Sequence, residues 1–74
     1  MPRLGVFSGR EVQRILEAEG FVCVRQEGSH VVMQKRGVHG TTTVPVPDHA
    51  EIRIGTLQSI IRQSGIERGK FMRP

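Results

Sequence analysis

At 74 residues the chain has room for a single domain, read here as 1–74 with a core from about Ser8 to Phe71. A chain this short buries only about 60% of its unfolded surface, which excludes a deep pocket for a large cofactor and leaves a shallow groove or open sheet face as the working surface. Eleven Lys and Arg against seven acids give a net charge of +4, pointing to an anionic partner with nucleic acid first, while a lone Cys23 excludes an internal disulfide.

Ser8-Gly9-Arg10-Glu11 matches the capping box S-x-x-E, and Phe7 and Val12 occupy the two positions of a hydrophobic staple. Val12, Ile15 and Leu16 continue at helical spacing, so a helix is predicted from Gly9 to about Glu19, stopped by Gly20 in a left-handed conformation. Phe21–Gln26 is rich in β-branched residues and reads as a strand, and His30–Lys35 as its antiparallel return. Arg36–Gly40 forms a second turn, and Thr41–Val46 a third strand. Pro45 cannot donate to a ladder, so this strand lies at a sheet edge or leaves the sheet. Pro47–Glu51 is a loop or single helical turn with Asp48 as its cap. A second helix runs from about Ile54 to Ser64, with Leu57, Ile60 and Ile61 as its apolar stripe and Gly65 at its end. Ile66 and Phe71 pack the tail back, and Met72-Arg73-Pro74 is expected to be loose. The predicted class is α+β, in the order α-β-β-β-α, a three-stranded antiparallel meander with two helices on one face.

The first hairpin carries the chemistry. With Gln26–Ser29 as the turn, Arg25 pairs with His30, Val24 with Val31 and Val22 with Met33. Alternation then places Val22, Val24, Val31 and Met33 on the helix-covered face and Arg25 with His30 on the open face. Histidine exchanges protons near neutral pH, and a neighbouring guanidinium favours its neutral, base-competent form. The same Arg can neutralise a phosphate. On position and charge alone, an exposed hairpin histidine with no role is the plainer reading of His30. His39 reads as a solvent-exposed turn residue and His49 as part of a local cap. No zinc-ligand spacing, Walker sequence or dinucleotide fingerprint is present, so no metal or cofactor is expected. The segment Met1–Phe7 has no export-signal pattern and no run reaches the roughly 20 apolar residues of a membrane span, so the expected compartment is the cytoplasm, with no membrane partner.

Helix, Gly20-Phe21, strand, Gly28-Ser29-His30, strand, Val44-Pro45-Val46, Gly55-Thr56-Leu57 and an Ile60-Ile61 helix follow one another in this order from about Ser8 to Phe71. This series resembles the HicA toxins of HicA–HicB toxin–antitoxin pairs. The resemblance implies a fold like the double-stranded-RNA-binding domain and the role of toxin in a type II pair. It implies metal-independent endoribonuclease activity on mRNA (an mRNA interferase) and neutralisation by a HicB-like antitoxin. It makes His30 the catalytic residue, as general base on the 2′-OH or general acid on the leaving 5′-oxygen. Arg25 and Lys35 are expected to neutralise phosphate, and Gly28 and Ser29 to share in RNA binding. His49 or a water is the candidate second proton carrier. Two features depart from many relatives: Val31 and Val32 follow the histidine, and the glycine-rich segment between Lys35 and Thr41 carries His39. With three Phe and no Tyr or Trp, sequence reading by base stacking is not expected. The rival function is a non-catalytic RNA-binding module of the same fold; replacement of His30 separates the two.

Overall fold

The computed structural model describes residues 3–73; Met1, Pro2 and Pro74, which belong to the expected signal-free N-terminus and loose tail, lie outside it. Chain order is β1 (Arg3–Leu4), α1 (Gly9–Ala18), β2 (Val22–Glu27), β3 (His30–Gly37), β4 (Gly40–Pro47), α2 (Ile54–Ser64), a 3-10 turn (Arg68–Phe71) and β5 (Met72–Arg73). The main sheet is antiparallel in the order β2-β3-β4, so both β2 and β4 are edges, and Pro45 sits on an edge strand as its missing N–H requires.

Helix α1 is fixed by local chemistry at both ends. The Ser8 hydroxyl accepts from the Glu11 amide at 3.1 Å, and the Glu11 carboxylate accepts from the Ser8 amide at 2.9 Å, closing the capping box. At the other end Gly20 takes φ of +97°, and the amides of Gly20 and Phe21 donate to the Glu17 and Leu16 carbonyls. This is the Schellman arrangement, with Phe21 and Leu16 both buried as its hydrophobic contact. Helix α2 is capped at its C-terminus by Gly65, also left-handed.

Between the helices and the sheet lies a core built from Val12 and Leu16 of α1, Leu57 and Ile60 of α2, and Val31, Met33, Val44 and Val46 of the sheet. Phe7 and Phe71 close one end of it edge to face, with ring centroids 6.2 Å apart. The tail departs from expectation. Met72 and Arg73 pair with Leu4 and Arg3 as a two-stranded ribbon, and the Arg73 guanidinium lies 4.2 Å from the Phe7 ring while binding Glu11 at 3.0 Å.

One close approach ties α1 to the sheet. A Cβ on Gly9 would lie 2.2 Å from the Pro47 carbonyl oxygen, and the Gly9 amide donates to the His49 carbonyl at 2.8 Å. Only glycine lets the first turn of α1 rest against the end of β4. Pro47 ends β4 and residues 48–51 form a loop without helical turn, so Asp48 caps no helix and α2 starts after Arg53; the Asp48 amide donates to the Ser29 carbonyl at 2.6 Å, extending the β3–β4 ladder by one step.

Candidate functional site

The hairpin is tighter than Gln26–Ser29. Only Gly28 and Ser29 form the loop, with Gly28 at φ +59° and Ser29 at negative φ, the II′ pattern whose twist matches the flanking strands. Glu27 therefore stands opposite His30, and Arg25 opposite Val32. Further along, the register shifts between Cys23 and Arg25, where Val24 is the extra residue of a β-bulge. The bulge reverses the face on which the start of β2 was expected. Cys23 pairs with Met33 on the helix side, while Val22 pairs with Gln34 on the other. Val22 and Val24 are thus not core residues: they are 59% and 44% exposed, whereas Val31 and Met33 are buried as expected.

The face of the sheet away from the helices carries His30, Val32 and Gln34 of β3, flanked by Pro47, Pro45 and Thr43 of β4 and by Glu27 and Arg25 of β2. Val32 is buried without joining the helix-side core, lying between Arg25 and Pro45 in the ladder. The Gln34 amide donates to the Thr43 hydroxyl at 3.2 Å. Arg25 and His30 share this face, as expected, but Arg25 is not the residue opposed to His30. Its guanidinium donates instead to the Glu27 carboxylate.

The other expected site residues divide. Gly28 and Ser29 form the turn next to His30, and the Ser29 carbonyl is held by Asp48. Lys35 is not brought to His30: odd positions of β3 face the helices, and its ammonium lies 6.0 Å from the Phe21 ring centroid. His49 lines a shallow hollow with Pro47, Glu51, Arg53 and Thr56 at the start of α2. It shares Pro47 with the surroundings of His30, but no strand register aligns it with the imidazole.

Sequence reasoning missed two groups. Glu27 lay inside the assumed four-residue turn, two positions beyond Arg25, and the Gly28-Ser29 pair was itself the signal for a two-residue turn. Arg10 and Arg14, one turn apart on α1, line a groove against β2 with Gln13, Glu17, Cys23 and Gln26. Their spacing on one helix face was the available signal.

The matching family model is that of the HicA toxin of bacterial toxin–antitoxin systems, over residues 9–66. The chain belongs to the HicA toxin family. The match spans α1, the whole sheet and α2, and so includes Gly28-Ser29-His30 and the open face around it. Comparison with curated proteins and with solved structures returned no significant match. Among the described residues no helix is long and apolar enough to cross a membrane.

Proposed function

We propose that this HicA-family chain is a metal-independent endoribonuclease that cleaves mRNA in the cytoplasm and is held inactive by a HicB-like antitoxin. The observation that carries the reading is an exposed His30 on the uncovered sheet face, next to the Arg25–Glu27 pair, in a chain of net charge +4. RNA supplies its own nucleophile, the 2′-OH, so the protein needs no Ser or Cys nucleophile. His30 moves a proton at the 2′-oxygen or at the leaving 5′-oxygen, a contribution of roughly 10²- to 10⁴-fold. Arg25 can turn from Glu27 to a phosphate at little cost, because an exposed ion pair is worth at most about 1 kcal/mol. Gly28 and Ser29, the turn beside His30, share in RNA contact. Arg36, an even position towards the far end of β3, extends phosphate contact along the open face, while Lys35 stays on the helix side.

The reading is tested with a short RNA in EDTA. Cleavage is expected to leave a 2′,3′-cyclic phosphate and a 5′-OH, and to stop when the nucleotide at the cut carries 2′-deoxyribose. Cleavage of an all-DNA strand, or 5′-phosphate products, would contradict 2′-OH attack. RNA bound without cleavage, alone and with translating ribosomes, would establish the non-catalytic RNA-binding module instead.

A further inference from the structure

A phosphodiester cleaved by its own 2′-OH needs one group to take the 2′-proton and another to give a proton to the 5′-oxygen. Those two oxygens lie on opposite sides of the phosphorus, so a single imidazole serves one of them well and the other poorly. The register of the first hairpin supplies a partner. Glu27 and His30 are the residues that close a two-residue turn, directly opposite one another on adjacent strands. Opposed residues share a face and have Cβ atoms roughly 5 Å apart. Both are exposed, and among the described residues the helices pack on the opposite face of the sheet, so two side chains at this spacing are free to flank one phosphate.

We propose that Glu27 is a second catalytic residue, the general base to a His30 general acid, with Arg25 neutralising the phosphate between them. This rests on the endoribonuclease reading and extends it. The Glu27 carboxylate removes the 2′-OH proton. The 2′-oxygen bonds to phosphorus, the bond from phosphorus to the 5′-oxygen breaks, and the His30 imidazolium gives its proton to that oxygen. The products are a 2′,3′-cyclic phosphate and a 5′-OH, with Glu27 protonated and His30 neutral until exchange with water resets both. Arg25 lies on the same face and already holds the Glu27 carboxylate. Substrate phosphate displaces it, which frees the carboxylate at the moment a base is needed and leaves the guanidinium on the oxygens where charge builds.

Few other charges bear on the pair. Glu27 faces Arg25 on its own strand and His30 across the ladder; His30 faces Pro47 on β4, with Asp48 and His49 the next ionisable groups beyond it. The pH–rate profile should therefore have an acid limb, from protonation of the carboxylate, and an alkaline limb, from loss of the imidazolium proton.

The experiment measures single-turnover cleavage of a short RNA in EDTA across pH for wild type, Glu27→Gln, Glu27→Asp and His30→Ala, with thermal melts of each. Glu27→Gln is expected to melt as wild type, to cleave 10²- to 10⁴-fold more slowly, and to lose the acid limb. Glu27→Asp should recover part of the rate and the acid limb with it. Glu27→Gln with the wild-type rate and both limbs, beside an inactive His30→Ala, would remove Glu27 from the chemistry and leave the endoribonuclease reading standing. A Glu27→Gln defect confined to KM, with both limbs kept, would also overturn the proposal. Wild-type cleavage unaffected by His30→Ala, or no cleavage by wild type with or without translating ribosomes, would overturn both.

Discussion

The two faces of the central strand β3 differ in what they can lose. Its odd positions, Val31 and Met33, point into the core beneath both helices, and Met33 has no exposed surface. Its even positions, His30, Val32 and Gln34, face away from the helices, and only Val32 among them is buried. One strand therefore carries stability on one side and candidate chemistry on the other, separated by the alternation of the backbone alone. In a chain of this size the open face cannot be spared for packing, so the helix face must supply nearly all of the hydrophobic stabilisation.

Truncating β3 residues of opposite parity separates the two faces. Met33→Ala is expected to destabilise by about 2–5 kcal/mol, since it leaves a cavity among Leu16, Val44 and their neighbours. His30→Ala, three residues away on an exposed position, should change stability by less than about 0.5 kcal/mol in the same denaturant titration. Comparable losses from both would mean that the two faces are not independent. Next in size is Gly9→Ala. Its Cβ would meet the Pro47 carbonyl, so α1 and the end of β4 must separate at a cost of about 1–3 kcal/mol. Because Asp48 follows Pro47 and holds Ser29, this substitution should also loosen the hairpin, read as faster amide exchange at Asp48.

A smaller effect sits at the start of α1. The Ser8 backbone amide, and after it Arg73, hold the Glu11 carboxyl below its ordinary value of 4.5. A depressed folded value means that Glu11 contributes stability above about pH 4.5, lost as pH falls through the lower folded value. Glu11→Gln should therefore lower stability at neutral pH and flatten its decline in acid, checked by melts between pH 7 and pH 2. Ser8→Ala removes the reciprocal bond and should cost about 1 kcal/mol at pH 7.

What the sequence disclosed follows the range of the interactions. The ends of α1 were legible because a capping box and a glycine stop are settled within a few residues. The element order and the membership of Val31, Met33, Leu57 and Ile60 in the core followed from periodicity. Register was not legible in the same way. The bulge at Val24 is chosen by how β2 fits its neighbour, and its one residue of shift moved Val22 and Val24 off the core face, while the shorter, two-residue turn brought Glu27 opposite His30. The β1–β5 ribbon is two residues per strand and joins the two ends of the chain, so no periodicity could announce it. Lys35 shows the same limit: charge marked it as a phosphate contact, while strand parity sends it to the Phe21 side.

On the proposed function, the open face at the first hairpin performs the chemistry and His30 carries it. The most direct test is cleavage of single-stranded RNA in EDTA by wild type and His30→Ala, with a melt of each preparation. The proposed role of His30 requires cleavage to 5′-OH ends by wild type, none by the variant, and coincident melts. Equal cleavage by a folded His30→Ala would contradict it.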